Sequence, residues 1–242
     1  MVEMEFPLAF VTGAAHRLGR VFALYLARQG YAIMLHYHRS AEKAIATASE
    51  IRAIGVPVNL VKADLTEPAN IHSVFATLDT LPHKLRVLVN SAGIMQRGDI
   101  RTLPVADWDA TMSLNLRTPF LLAQQAIERM KDGGLIVNVS DAGAGKAWTG
   151  FPAYTVSKAG LDSLTHVLAK ALAPKIRVNA IAPGLVLQSE NTTPEEWQKL
   201  VDRLPLRHPA SVDEIAAALE YLIKNESVTG QTIIVDGGYS LI

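Results

Sequence analysis

Short apolar runs alternate with amphipathic segments along the chain, and this alternation constrains the fold more than any other feature. Nearly continuous valine, isoleucine and leucine mark the runs 8–12, 31–37, 57–63, 85–91, 135–140, 176–182 and 231–237. Strands buried on both faces of a parallel sheet have this composition. Helical patterns lie between them, at 17–29, 40–54, 67–80, about 106–131, 153–173 and 211–224. The alternation predicts an α/β fold: one Rossmann-type doubly wound parallel sheet of seven strands, with helices on both faces.

No linker, repeat or low-complexity stretch interrupts this alternation, so residues 1–242 are predicted to form a single domain. The longest insertion between strand–helix units is 185–210. It follows the carboxyl end of a strand, where such sheets bind their ligands. We therefore expect 185–210 to act as a lid over a substrate.

The overall composition excludes several classes of function. Apolar residues make up 49% of the chain, charged residues 19%, and the formal net charge is zero, so a nucleic-acid partner is not expected. The absence of cysteine excludes disulfides and thiolate chemistry. The acidic start MVEMEF is unlike a signal peptide, and no apolar run is long enough to span a membrane. A cytoplasmic protein without a membrane partner is expected.

A glycine turn joins the first strand to the first helix in LAFVTGAAHRLGR. Gly13 permits the tight turn, and Gly19 allows close packing of helix on strand. Such a turn points free N–H groups at a pyrophosphate. Arg17 occupies the middle glycine position of the usual fingerprint and adds a cation beside the phosphates.

The end of the second strand, HYHRS, indicates which dinucleotide binds. An acidic residue here would bind the ribose 2′-hydroxyl of NAD, but the chain has Arg39 and Ser40 instead. A guanidinium and a hydroxyl suit a 2′-phosphate, which favours NADP. His36 and His38 resemble a metal pair, but no carboxylate lies nearby in sequence, so no metal is expected.

Tyr154 and Lys158 are four residues apart on one predicted helical face, so a phenol lies beside an ammonium group and becomes a plausible proton donor. With these two residues an ordered set of motifs is complete. It comprises TGxxx(R/G)xG at 12–19, Asp64, NSAG at 90–93, Asn115, YxxxK at 154–158 and Pro183-Gly184. The set resembles the short-chain dehydrogenase/reductase family over essentially the whole chain. The segments TGAAHRLGR, HYHRS and VDGGYSL look most like its pteridine reductase subgroup, which uses NADPH.

The resemblance implies a role for each matching residue. Tyr154 would protonate the substrate, Lys158 would lower the tyrosine pKa and hold the nicotinamide ribose, and Asn115 would anchor a proton-conducting water. Asp64 would contact adenine, and Pro183-Gly184 would border the nicotinamide. The complete cofactor set that it implies is Gly13, Arg17, Leu18, Gly19, His38, Arg39, Ser40, Asp64, Leu65, Asn90, Ser91, Ala92, Gly93, Tyr154, Lys158, Pro183 and Gly184.

Asp141 stands thirteen residues before the tyrosine, where most of the family has a serine. Neighbouring residues at a strand end point in opposite directions, so Ser140 does not simply take its place. A carboxylate repels the oxyanion formed in ketone reduction, but it can bind an amino-substituted ring or relay a proton to a C=N nitrogen. Pteridine reductases carry an aspartate here. The alternative is that a one-residue shift makes Ser140 the working hydroxyl.

One position departs from that subgroup. Its members stack an aromatic residue on the pterin shortly after the NAG segment, and the matching place here is Met95. A thioether contacts a π-face less selectively. Phe151 or Trp148 offers another possible wall.

Three functions follow from these observations. The leading one is an NADPH-dependent enzyme that reduces a C=N bond of a dihydropterin- or dihydrofolate-like ring, with Asn115, Asp141, Tyr154 and Lys158 as catalytic residues. The alternatives are a carbonyl reductase for a 3-oxoacyl or other ketone, and a non-catalytic dinucleotide sensor. Family resemblance also implies a homotetramer of two dimers, formed by the helices at about 106–131 and 153–173.

Overall fold

Residues 6–189 and 192–242 are described by the computed structural model. The strands in these ranges are β1 (Leu8–Val11), β2 (Ala32–Tyr37), β3 (Val58–Lys62), β4 (Leu85–Asn90), β5 (Gly134–Val139), β6 (Ile176–Pro183) and β7 (Thr232–Val235). They form one sheet in the order β3-β2-β1-β4-β5-β6-β7, and every neighbouring pair is parallel. The predicted seven-stranded doubly wound sheet is confirmed.

Helices cover both faces of this sheet. They are α1 (Arg17–Arg28), α2 (Ala41–Ile54), α3 (Pro68–Leu78), α4 (Val105–Met112), α5 (Thr118–Ile127), α6 (Pro152–Leu172), α7 (Pro194–Val201) and α8 (Val212–Lys224). A short 3₁₀ turn, Tyr239–Leu241, follows β7. No helix in the described ranges is long and apolar enough to cross a membrane.

Two apolar cores hold the layers together. One lies beneath α1, α2 and α8 and buries side chains such as Phe22, Ile51 and Leu219. The other lies beneath α3, α5 and α6 and buries Phe75 and Leu122. Each fully buried side chain of this size contributes about 1.5–3 kcal/mol relative to exposure. Both layers therefore fix the sheet and the edge at which its strands end.

The strand order reverses at β1, which lies between β2 and β4. Connections from the two sides leave this point in opposite directions, and the loops diverge to open a crevice at the carboxyl ends of the strands. The candidate site residues come from the turns after these strands, together with α6 and the segment between α4 and α5.

Two helical predictions differ from the structure. The predicted helix at about 106–131 is interrupted by a π-helical turn, Ser113–Arg117, and ends at Ile127. The segment 185–210, predicted as a lid, contains the unpredicted helix α7. Its start is fixed by Thr193, whose hydroxyl accepts the Glu196 N–H while the Glu196 carboxylate accepts the Thr193 N–H. Residues 190 and 191 of this segment lie outside the described ranges.

Candidate active site

The glycine turn after β1 packs directly against the segment after β4. Gly13 has φ +63°, and a Cβ atom there would lie 2.9 Å from Ala92 Cα. A Cβ at Gly19 would lie 2.2 Å from the Gly13 carbonyl oxygen, a distance that no side chain tolerates. The Thr12 hydroxyl accepts the N–H groups of Ser91 and Ala92, each at 3.0 Å. The two segments therefore form one rigid cradle, with Leu18 half-buried at its side.

His36 fixes the same turn from β2, a role that the sequence did not reveal. Its Nδ1 accepts the Gly13 N–H at 3.1 Å, and its Nε2 lies 3.1 Å from the Ala63 carbonyl. This pairing requires the neutral tautomer with its proton on Nε2. Burial lowers the pKa of His36 from 6.5 to about 4. Among the described residues no group of three or more acidic or histidine side chains is arranged to hold a metal ion.

This histidine makes stability depend on pH. Because the folded-state pKa is the lower one, the unfolded chain binds more protons between about pH 6.5 and about pH 4. The contribution of neutral His36 to the free energy of unfolding is complete above about pH 6.5. It falls by about 3 kcal/mol as the pH approaches 4. Urea unfolding across this range measures the free energy of unfolding, and His36→Gln is expected to flatten the profile. Parallel profiles for the two proteins would contradict this prediction.

Arg17 links the glycine turn to the segment after β6. Its backbone has φ +52°, in the left-handed region that non-glycine residues seldom adopt. Its guanidinium donates to the Leu187 carbonyl at 2.9 Å and to the Gln188 carbonyl at 3.2 Å. Arg17 therefore lies between the predicted phosphate site and the start of the predicted lid.

The residues expected at the 2′-phosphate lie together after β2. His38 and Arg39 are exposed, and Ser40 begins α2 without using its hydroxyl as a cap. His38 Nε2 lies 3.8 Å from Asp64 Oδ2. Hydrogen bonds from the Thr66 hydroxyl and N–H hold the pKa of Asp64 below its usual value. The Leu65 side chain is buried beside it, and its carbonyl accepts the Thr118 hydroxyl at 2.7 Å.

A buried chain of polar side chains runs inward from Asn90. Its Nδ2 donates to Asn138 Oδ1 at 2.8 Å, and Asn138 Nδ2 donates to the Thr165 hydroxyl at 2.9 Å. Asn90 Oδ1 is buried without a hydrogen-bond partner in the described structure. Such an acceptor is costly unless a bound group satisfies it, which fits a ligand in the crevice.

Asn115 occupies the π-helical turn between α4 and α5. Its Oδ1 accepts the Ile94 N–H at 2.9 Å, and its Nδ2 donates to the Ile94 carbonyl at 2.9 Å and to the Ser157 hydroxyl at 3.0 Å. A Cβ on Gly93 would lie 3.3 Å from Asn115 Oδ1 and 3.8 Å from Lys158 Nζ. The π turn thus brings this amide to the loop after β4 and to α6.

Asp141, Tyr154 and Lys158 meet where β5 ends against α6. Tyr154 Oη donates to Asp141 Oδ2 at 2.6 Å, while Asp141 Oδ1 accepts the Gly143 N–H at 2.7 Å. Lys158 Nζ donates to the Val139 carbonyl at 2.6 Å. The carboxylate, phenol and ammonium groups therefore form one buried cluster.

Burial controls the protonation of this cluster. It raises the pKa of Asp141, and together with the Asp141 charge it raises the pKa of Tyr154 well above 10. Burial lowers the pKa of Lys158 to about 8. The net shift is opposite to the lowering expected from Lys158, because burial and the neighbouring carboxylate both raise the pKa of Tyr154 and favour the neutral phenol. A neutral phenol is the form that can donate a proton.

Ser140 and Asp141 have different partners. The Ser140 side chain is 3% exposed and its hydroxyl faces Asp162, whereas Asp141 accepts the Tyr154 hydroxyl. Both residues follow the last residue of β5, Val139. Pro183 and Gly184 lie beside Asp141 at the end of β6, where the Pro183 carbonyl accepts the Ala142 N–H at 3.0 Å.

Aromatic side chains border the cluster. The Trp148 ring is nearly parallel to that of Tyr154, with 7° between planes and 6.4 Å between centroids. Phe151 and Tyr239 contact Trp148 edge-on. Met95 is 48% exposed. An aromatic wall is present, but Trp148 provides it rather than the residue after NAG.

Comparisons with known proteins agree with this geometry. A family model described as enoyl-(acyl carrier protein) reductase matches residues 13–240. The chain is 32% identical to the 3-oxoacyl-[acyl-carrier-protein] reductase FabG of Staphylococcus aureus, over 95% of this chain and 96% of that one. It is also 32% identical to an NAD-dependent glycerol dehydrogenase of Listeria innocua, over 97% and 94% of the two chains. FolM alternative dihydrofolate reductase 1 of Brucella canis, solved with NADP, superposes with a TM-score of 0.92 at 35% identity, covering 98% and 94%.

The chain therefore belongs to the short-chain dehydrogenase/reductase family. It is an NADP-dependent oxidoreductase. The residues present fit the cofactor: the tight glycine turn at the switch point is of the kind that binds a pyrophosphate, Asn90 offers an unpaired acceptor, and the cationic turn after β2 suits a 2′-phosphate.

The cofactor preference is expected to depend on Arg39. NADPH should bind at least about tenfold tighter than NADH, which is a difference of about 1.4 kcal/mol in binding free energy. Arg39→Ala should remove most of this preference. Fluorescence titration of both cofactors measures this. Arg52→Ala, at the far end of α2, is the matched control and should keep the preference. Equal dissociation constants for the two cofactors in the unaltered protein would refute the assignment.

Proposed function

We propose that this enzyme uses NADPH to reduce a C=N bond in a dihydropterin- or dihydrofolate-like ring. The observation that carries the proposal is the 2.6 Å hydrogen bond between Tyr154 Oη and Asp141 Oδ2, while the Ser140 hydroxyl faces Asp162. A carboxyl group can accept hydrogen bonds from an amino-substituted ring and also hand a proton to the phenol. The likeness to the Brucella FolM structures supports the same substrate class.

Each residue of the cluster has a separate role in delivering one proton to the substrate. When bound, the cofactor supplies a hydride to the ring carbon of the C=N bond. Tyr154 gives its proton to the ring nitrogen, and Asp141, whose pKa is raised by burial, returns a proton to the phenolate. Lys158 is buried within reach of the tyrosine ring, 5.7 Å from its centroid, and stabilises the transient phenolate charge. Asn115 holds the Ile94 loop, which keeps this side of the site in place.

A carbonyl reductase is the second candidate, and one observation favours it. Burial raises the pKa of Asp141, and a neutral carboxyl group can donate a hydrogen bond to a carbonyl oxygen. FabG of Staphylococcus aureus, named for reduction of a 3-oxoacyl group, supports this reading. The third reading, a dinucleotide sensor, gives no reason for a buried proton-transfer cluster.

The test is a screen of NADPH oxidation by the purified protein. Dihydrobiopterin, dihydrofolate and quinonoid analogues form one panel, and 3-oxoacyl thioesters and simple ketones form the other. The proposal requires a kcat/KM for one pterin or folate at least about tenfold above that for any ketone. The opposite ranking would establish the carbonyl reductase. Tyr154→Phe, run in parallel, shows that the measured oxidation belongs to this site.

The enzyme is further proposed to work as a homotetramer. Leu122, Ala123, Leu161 and Leu168 are buried in the protomer, but Phe120 is 40% exposed and Val167 is 61% exposed. An open groove of about 730 Å³ lies between α4, the π turn, α5 and α6, and its lining includes Met112, Leu116, Phe120 and Leu164. A second copy of the same helices would cover this apolar surface in a closed, two-fold contact.

Light scattering at micromolar concentration tests the assembly. A mass near four times the 26.2 kDa protomer is expected. Phe120→Glu should shift the mass toward smaller species because it places a charge in an apolar interface. Lys170→Glu, an exposed change on α6 outside the groove, is the matched control. A protomer mass for the unaltered protein would overturn the proposal.

A further inference from the structure

A second cavity lies beside Asp141, between the end of β5, α6 and β7. It has a volume of about 240 Å³, enough for several water molecules. Its polar lining consists of Asp141, Lys146, Asp162, Thr232 and Ser240. The mechanism above uses only the first of these residues.

Asp162 is the second carboxyl group of this cavity. It lies one helical turn beyond Lys158 on α6 and is partly buried. Thr232 Oγ1 lies 3.4 Å from its Oδ1, and the Ser140 hydroxyl faces it from the end of β5. The two hydroxyl groups hold Asp162 at the wall of a cavity that is large enough for water.

The charges around Asp162 suit a group that exchanges protons. Burial raises its pKa, while Lys158 and His166 on its own helix act in the opposite direction. The Asp162 charge also helps to raise the pKa of Asp141. Lys146, from the loop after β5, faces the same cavity. Two carboxyl groups with raised pKa values that line one small cavity favour sharing a proton.

We propose that Asp162 supplies protons from solvent to Asp141 through water in this cavity. The inference rests on the proposed reductase function, whether the reduced bond is C=N or C=O. In each turnover the substrate gains one hydride from NADPH and one proton from Tyr154. Asp141 reprotonates Tyr154, a cavity water reprotonates Asp141, and Asp162 passes that water a proton taken from solvent. Asp162 ends the cycle in its starting state.

Asp162→Asn tests the relay with whichever compound the screen identifies. We expect kcat to fall about tenfold, less than the 10²- to 10⁴-fold for a group that touches substrate. KM and the NADPH dissociation constant should stay unchanged. The solvent isotope effect on kcat should rise, since proton supply becomes limiting. Added imidazolium, a small external acid, should restore turnover, and Asp162→Glu should retain most of it.

Ile234→Val is the matched control because it alters an apolar residue of the cavity wall and keeps both carboxyl groups and Thr232; its kcat should stay within about twofold of the unaltered enzyme. A second readout needs no turnover: carboxyl ¹³C titration by NMR should show a lower pKa for Asp141 in Asp162→Asn. Any of three outcomes would overturn the relay. The first is an unchanged kcat and isotope effect in Asp162→Asn, and the second is an activity loss that neither imidazolium nor Asp162→Glu restores. The third is an unchanged Asp141 titration. Failure of the pterin panel alone would overturn only the substrate assignment.

Discussion

Tyr154→Phe is expected to lower kcat by about 10³-fold or more for any substrate that the enzyme reduces. The change removes the phenolic hydroxyl group and leaves the aromatic ring, so the parallel contact with Trp148 remains. Loss of a positioned proton donor costs 10²- to 10⁴-fold. Steady-state NADPH oxidation measures the loss, and fluorescence titration should show NADPH affinity within about threefold of the unaltered enzyme.

Tyr239→Phe is the matched control for this experiment. Tyr239 also contacts Trp148, but its hydroxyl takes no part in the Asp141 hydrogen bond. Tyr239→Phe should leave kcat within about threefold of the unaltered enzyme. If Tyr154→Phe retained more than a tenth of the activity, the phenol would not be the proton donor, and Asp141 would have to protonate substrate directly.

Asp141→Ser is expected to lower pterin or folate reduction by about 10²-fold, with NADPH affinity nearly unchanged. The serine side chain is too short to keep the 2.6 Å contact with Tyr154, and an alcohol is too weak an acid to return a proton to the phenolate. The same variant should gain activity toward ketones, because a hydroxyl donates to an oxyanion that a carboxylate repels. Asp141→Asn should also lose pterin reduction, since an amide cannot pass on a proton.

Ser140→Ala is the neighbouring control, and it should lower kcat by no more than about threefold. The two residues are adjacent in sequence, but Asp141 accepts the Tyr154 hydroxyl while the Ser140 hydroxyl faces Asp162. If Ser140→Ala abolished turnover while Asp141→Ser retained it, the aspartate would be a bystander. The carbonyl reductase reading would then replace the pterin reading.

Most of the fold followed from composition along the chain. Strands such as 85–91 are apolar throughout because both faces of the sheet are covered, and this pattern needs no tertiary information. The missed helix α7 is short, but the TPEE sequence at 193–196 carries the capping signal that could have located it. The break within 106–131 also had a signal, because Pro119 lies just after the π turn and a proline inside a helical pattern marks a break or a kink.

The candidate site was predictable as a set of residues but not in its electrostatics. Motif order selected Asn115, Asp141, Tyr154 and Lys158; the structure brings the last three into one cluster and joins Asn115 to Ser157 on the same helix. The direction of the Tyr154 pKa shift depends on how deeply the ring is buried and where the Asp141 oxygen lies. Likewise His36 looked like a metal ligand candidate in sequence, and only the fold shows its hydrogen bonds to the Gly13 turn and Ala63.

The π turn at Ser113–Arg117 has a consequence for how this site tolerates length changes. A π turn contains one residue more than the α turn it replaces, so removing one residue there would restore a regular helix. In that helix Asn115 would be rotated by about 100° from its place at Ile94. The position of this amide therefore depends on one extra residue in the π turn. Deleting one residue there would separate Asn115 from Ile94, even if the segments on both sides stayed helical.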